Sequence, residues 1–424
     1  MIKKLMNKFL KYNYHILTYI LLYSSLIIAF FLGENVSLGP KNDLLYTLRQ
    51  VEIFDKNFLY SFFNYDTIEY PNRLSPIYIT ILLIFKKLFY SLEFARFVLL
   101  HILILSQIYF YKCLKTIFLK KFSLDKKILF FLSCVIFISP SFRANVIWVE
   151  SSMMGLLFFL IGLYYFLKNL KKLKLKNIYL NILFIAIASY IRPSYCLFAI
   201  YFFYHYFVFY RNQISIYRIV LVNCILAFPA FYYVFILDIY FIQFGTEASL
   251  LDVNYFNKIA IISSIITFHL FPFLYFKNFF LKKFNDKKLS IFISILVSTL
   301  LIYFFNYDLY WGGGGLFLHL SNFLGNNNYL FYFLIPIFIF FFLNVIKINF
   351  SNNIVVLLVL FLLTPQYQIF HKYYDPLVFI LFLTIVDFDL TRKFFTKKKF
   401  IFSVYFIFLS HYLISFINSY YIKF

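Results

Sequence analysis

The chain has 424 residues, 63% of them hydrophobic and 13% charged, with a mean hydropathy of +0.82. A soluble globular domain is only about 45–50% apolar, so an ordinary water-soluble enzyme is excluded. The formal charge of +23 would suit nucleic acid, but the lysines cluster beside long apolar runs. That is the pattern of cytoplasmic loops between membrane spans, and no nucleic-acid partner is expected.

Apolar stretches of about 17–25 residues recur from end to end, enough for helices to cross a bilayer. Lipid offers no partner to irregular backbone, so the spans must be helical. The first, about Tyr14 to Gly33, follows Lys3, Lys4, Lys8 and Lys11. It exceeds a signal-peptide core and no small-residue cleavage site follows, so a retained span is predicted. With these lysines inside, residues 34–73 emerge outside. Pro76–Leu92 is apolar but holds Lys86 and Lys87, and a re-entrant helix on the outer side is expected. Further spans are predicted over 94–111, 128–140, 151–167, 178–190, 194–210, 217–240, 259–276, 289–305, 329–346, 353–368, 376–391 and 400–419. The fold class is therefore an all-α polytopic membrane protein of about 13 transmembrane helices.

This threading leaves most of the 40 lysines and arginines inside, which places the N-terminus in the cytoplasm. Of the 17 acidic residues only Asp125, Asp286, Asp387 and Asp389 fall inside. Carboxylates gather on the outer face. No repeat and no soluble domain interrupts residues 1–424, read as one integral membrane domain with a first outer region at 34–92. Cys113, Cys134, Cys196 and Cys224 form no CxxC pair and sit in or beside apolar segments, as core residues rather than zinc ligands. The high Phe, Tyr, Lys and Asn usage reflects an AT-rich bacterial genome more than a mechanism.

The first outer loop is the longest segment outside the spans. It holds Glu34, Asp43, Glu52, Asp55, Asp66 and Glu69 against Lys41, Arg49, Lys56 and Arg73. Pro40 with Asn42 or Asp43 predicts a helix start. Leu44, Leu48, Val51, Phe54, Phe58 and Phe62 then recur at helical spacing, so an amphipathic helix with its apolar face toward the interface is expected. Asp43 would lie in its first turn, as a cap or as a proton acceptor. The run "WGGGG", Trp311 to Gly315, lacks the Lys-Ser/Thr of a P-loop and reads as a flexible outer turn. "NVS" at Asn35 is a glycosylation sequon whose meaning depends on the host.

An N-terminal span, an outer loop with an early Asp, and then "YPNRLSPIYITILLIFKKLF" (Tyr70 to Phe89) resembles the opening of the GT-C superfamily of membrane glycosyltransferases. "ISPSFRANVIWVESSMMGLLFFLIGLYYF" (Ile138 to Phe166), "ASYIRPSYCLF" (Ala188 to Phe198) and "HKYYDPLVFILFL" (His371 to Leu383) resemble later stretches of that family, in order and on the outer side. The resemblance implies GT-C-like core helices over 94–240 and variable helices over 241–424. It implies transfer of a sugar, with inversion, from a polyprenyl-phosphate donor to a glycan, glycolipid or protein acceptor outside a bacterial inner membrane. Asp43 is then the expected catalytic base, with Glu150 assisting. Arg73, Arg143, Arg192 and Lys372 are the expected cations for the donor phosphate. Asp66, Glu69, His371 and Tyr373 are the expected sugar or acceptor contacts.

Each cation and acid also has a plainer reading: Arg143 pairing with Glu150, Arg192 snorkelling from a helix end, Glu150 facing a helix dipole, and Asp66 and Glu69 solvating a loop. No cofactor is assigned. A divalent metal is left open, without a DxD motif to support it, and His371-Lys372-Tyr373 stands where Arg-Tyr is common in the family. A polysaccharide polymerase or ligase would place its large outer loop later in the chain. A lipid-linked-glycan transporter would put charges in mid-span.

Overall fold

The computed structural model describes residues 2–37, 39–69, 75–122, 125–239, 254–274, 285–309, 313–388, 395 and 398–422. Arg73 lies outside the described residues, as do the expected outer loop at 240–253, much of the basic loop at 275–284, and Trp311. All regular elements among the described residues are helices. In chain order they are α1 (Ile2–Leu32), α2 (Gly39–Lys56), α3 (Phe58–Phe63), α4 (Pro76–Phe89), α5 (Leu92–Phe122), α6 (Lys126–Ser133), α7 (Pro140–Ile147), α8 (Ser151–Lys171) and α9 (Leu175–Ile191). There follow α10 (Leu197–Tyr210), α11 (Ile216–Phe231), α12 (Tyr255–Leu274), α13 (Asn285–Phe304), α14 (Gly315–Gly325), α15 (Tyr329–Ile348), α16 (Phe350–Leu362), α17 (Leu377–Phe382) and α18 (Lys398–Ile417).

Among the described residues, seven helical stretches are long and apolar enough to cross a membrane: Asn13–Leu32, Leu92–Leu119, Ser151–Lys171, Ile216–Ile236, Tyr255–Phe273, Tyr329–Ile348 and Lys399–Tyr421. The chain is therefore a polytopic, all-helical membrane protein. Lys126–Ile138 and Pro140–Ile147 meet at a 69° bend and make an eighth if counted as one span. Leu175–Ile191, Lys288–Phe304 and Phe350–Leu362 are apolar but shorter. The expected span at 376–391 takes a different form. Only Leu377–Phe382 is helical, and turns follow. Leu377 to Leu383 are all buried in the bundle, so this broken backbone meets protein rather than lipid, where it is tolerated.

The core is centred on α8. Leu156, Phe159, Leu160, Leu163 and Phe166 are buried on its different faces, and it packs against α5 and α9. A helix apolar all round belongs at the centre of a bundle.

α2 and α4 lie side by side. α4 starts at Ser75, whose Oγ accepts from the Ile77 N–H at 3.3 Å, with Pro76 in the first turn. Its 14 residues rise about 21 Å at 1.5 Å each, less than a hydrocarbon core of about 30 Å. Lys86 and Lys87 at its far end reach Asp55 near the end of α2, at 3.2 and 2.9 Å. The basic end of α4 thus lies beside the end of α2.

The stripe on α2 does not face outward. Leu44, Val51 and Phe54 are buried and the helix packs on α4 and α7. Nor does it continue through Phe62. It stops at Lys56, and Asn57 starts α3 by accepting from the Tyr60 N–H at 3.2 Å. An asparagine at a helix start competes with the backbone and resets the helix.

Candidate functional site

Lys372 is the centre of the site. Its Nζ donates to Asp43 Oδ2 at 2.6 Å and stands 3.8 Å from Glu150 Oε1. The three residues come from positions far apart in the chain: the first turns of α2, the start of α8, and a 3₁₀ turn, His371–Tyr373. The lysine and glutamate side chains are each 8% exposed, whereas Asp43 is 31% exposed. Asp43 is therefore the member an incoming hydroxyl would meet first. Burial by itself pushes the Lys372 ammonium down, but the carboxylates of Glu150 and Asp43 outweigh it and hold the group above its ordinary value. The two carboxylates share this ammonium, and the nearby Arg192 guanidinium brings the formal charges into balance.

The local backbone explains how each group is held. Lys372 lies over the start of α2, and its Nζ is 3.2 Å from where a side chain on Gly39 would begin. Glu150 is the N-cap of α8 without capping it through its side chain. Its Oε2 instead accepts from the Ser152 hydroxyl. Just before it, Val149 takes φ of 51°, which is strained for a β-branched residue. The Tyr78 hydroxyl of α4 donates to the Val149 carbonyl. Strain held in place by neighbouring contacts is common where a side chain must be aimed.

Arg192 closes one side of the cluster. It sits in the turn between α9 and α10, with its guanidinium 4.6 Å from the centre of the Tyr373 ring. Glu150 and Asp43 are near enough to act on its charge. The turn can approach α8 because residue 155 is glycine: a Cβ there would lie 2.7 Å from the Tyr195 ring and 3.1 Å from Arg192 Cβ.

Pro193 and Cys196, next along the chain, line a groove of about 350 Å³ between α9, α10 and α11. Its walls are mainly apolar, with Ile185, Ala199, Phe203, Leu226 and Val234 among them, and Ser75 and Ile77 of α4 reach into it. A cavity of this size with few polar groups suits an aliphatic or small organic ligand. The charged cluster and the apolar groove share the 192–196 turn.

Of the residues expected from sequence, Asp43, Glu150, Arg192, Lys372 and Tyr373 come together. The other described ones go elsewhere, and Arg73 lies outside the described residues. Arg143 does not face the cluster, nor does it pair with Glu150. Its Nε and Nη2 donate to Glu34 Oε1 and Oε2 at 2.8 and 2.9 Å, and its Nη1 donates to Ser25 Oγ at 2.9 Å. It clamps α1 to α7, and no unpaired edge is left for a phosphate. Asp66 and Glu69 are exposed in the loop after α3 and make no ion pair among the described residues. His371 turns away from Lys372 toward His411 and His269. The glycine run is not a slack turn. The Gly314 N–H donates to the Ile369 carbonyl at 3.0 Å, and Gly314 has φ of 85°.

Sequence reasoning passed over Glu34, Tyr78, Ser152, His269 and His411. The two histidines left a signal, since each stands inside an apolar stretch where an ionisable residue is costly and calls for a partner. No family model, no curated protein and no solved structure matches this chain.

Proposed function

We propose that the chain is a membrane glycosyltransferase that takes a sugar from a polyprenyl-phosphate-linked donor and passes it to a hydroxyl acceptor at the outer face of the membrane. The observation that carries this reading is the shared turn at 192–196. On one side stand two carboxylates with a lysine and an arginine, and on the other runs an apolar groove. A polyprenyl-phosphate sugar has the matching parts, an aliphatic chain ending in a phosphodiester and a sugar.

In this reading the polyprenyl chain occupies the groove and its phosphate meets Arg192 and Lys372. As the phosphate arrives, Lys372 passes from Asp43 to the phosphate oxygens, and the freed Asp43 carboxylate takes the acceptor proton. The acceptor oxygen bonds to the sugar C1 from the face opposite the phosphate. The C1–O bond breaks, and its electron pair leaves with the polyprenyl phosphate, whose growing charge the two cations hold. Glu150, kept in place by Ser152, orients Lys372. The re-entrant α4, the cytoplasmic N-terminus, the further short spans needed to bring the count to about 13 and the bacterial inner membrane belong to the same reading.

The test is sugar transfer in membranes holding equal amounts of wild type or Asp43→Asn, offered a pool of polyprenyl-phosphate sugars. Asparagine keeps the size of the side chain but accepts no proton, so transfer should fall by about 10²–10⁴-fold. Undiminished transfer by Asp43→Asn removes Asp43 as base. A wild type that transfers from no donor in the pool removes the reading altogether.

A further inference from the structure

Behind Lys372 lies a second polar cluster that the proposed transfer does not use. His371 and Asp375 stand at the two ends of one turn, and His411 comes from α18. The candidate ligand atoms of these three all lie within 4.8 Å of one another, and His411 Nδ1 is 4.0 Å from Asp375 Oδ2. His269 of α12 stands beside them, with its ring centre 5.6 Å from that of His371. The chain has seven histidines in 424 residues, so three meeting at one point is not a scatter of surface residues.

The hydrogen bonding is incomplete in one direction only. Both ring nitrogens of His371, both of His269, Nδ1 of His411 and Oδ1 of Asp375 are buried without a partner. His269, His411 and Asp375 are 1%, 6% and 1% exposed. Buried polar atoms are nearly always satisfied, and leaving several unmade in one place is costly. The other carboxylate oxygen, Asp375 Oδ2, accepts from Ser139 Oγ at 2.6 Å. That is the outer support a metal-binding carboxylate usually has. The Phe268 ring stands edge-to-face with all three imidazoles.

We infer that His371, Asp375 and His411 bind one divalent transition-metal ion of the zinc type, with His269 or a water as fourth ligand. Two or three imidazoles and one carboxylate are a common zinc donor set, and bonds of about 2.0–2.2 Å are reached by small rotations of the rings inward. The ion would fasten the 371–375 turn to α12 and α18. Because Lys372 and Tyr373 lie on that turn, it would position the lysine between Asp43 and Glu150 without touching the reacting atoms. The inference rests on the cluster alone and stands whether or not the chain transfers sugars.

The test is metal content of the full chain purified in detergent without a histidine tag, stripped with chelator and then dialysed against Zn²⁺. About one ion per chain is expected for wild type, with a higher unfolding temperature than the stripped protein. His371→Gln and His411→Gln should each lose the ion. His101→Gln should keep it, since His101 lies on α5 with its Nδ1 at the Phe97 carbonyl. Stripped wild type given Co²⁺ should show the visible absorption of a low-symmetry nitrogen and oxygen site, a readout that needs no variant. No stoichiometric uptake by wild type, or full uptake by both variants, overturns the assignment.

Discussion

Arg143 and Lys372 show how two cations in similar sequence settings come to different ends. Both fall in short stretches expected from sequence to lie outside the membrane, and the structure puts Arg143 in α7 and Lys372 in a 3₁₀ turn. Arg143 meets a single carboxylate that matches its planar fork, and both Nε and Nη2 are used on Glu34. Lys372 has a point charge, and Asp43 and Glu150 share it. The first arrangement is a closed pair and the second is an exchangeable one. Arg143→Ala should therefore leave the largely buried Glu34 with the Tyr412 hydroxyl but no cation, lowering stability by up to about 3 kcal/mol in thermal or denaturant unfolding of the detergent-purified chain. Asp43→Asn should leave the unfolding midpoint nearly where it is, because Asp43 is the exposed partner and Glu150 still faces the ammonium. A large midpoint shift for Asp43→Asn with none for Arg143→Ala would reverse these roles.

Among the elements, turns and helix starts hold most of the charged cluster, with Asp43 on α2. Glu150 and Lys372 stand at helix starts or 3₁₀ turns, and Arg192 stands between two helices. Each turn is pinned by something specific. The 371–375 turn follows a segment fastened to the glycine run by Gly314. The Arg192 turn leans on α8 at Gly155. In Gly155→Ala the new methyl would have to displace the Tyr195 ring and press on Arg192 Cβ. Overpacking of this kind costs about 1–3 kcal/mol, and it should move Arg192 away from Glu150. The expected outcome is a modest loss of stability with a larger loss of sugar transfer. Equal transfer by Gly155→Ala and wild type would show that the close approach of the turn is packing only.

For the whole molecule the question is which side the site faces. The lysine-rich loops and the loop holding Asp43 must lie on opposite sides if the charge rule governs this chain. Glu69 and Lys172 are both exposed and represent the two sides. Cys113 and Cys134 are buried, whereas Cys196 and Cys224 are exposed and would be replaced by serine first. In that background, a membrane-impermeant thiol reagent added to intact cells should label Glu69→Cys and not Lys172→Cys. Labelling of Lys172→Cys alone would invert the topology and place the site in the cytoplasm.

The sequence by itself determined that this is a helical membrane protein, because long apolar runs leave lipid-exposed backbone no other way to satisfy its polar groups. It also pointed to Asp43, Glu150, Arg192, Lys372 and Tyr373, since charged and aromatic residues in short turns between spans are few and have no role in burying apolar surface. Only the tertiary structure decided which of the candidates meet. Arg143 and Lys372 are alike in local sequence context, and nothing in their spacing tells that one faces Glu34, 109 positions away, and the other Asp43, 329 positions away. The histidine cluster was hidden for the same reason. His269, His371 and His411 lie on three separate elements, and each reads singly as a core or helix-end residue. Convergence of distant segments depends on how helices cross and where they bend, and helical periodicity carries no information about either.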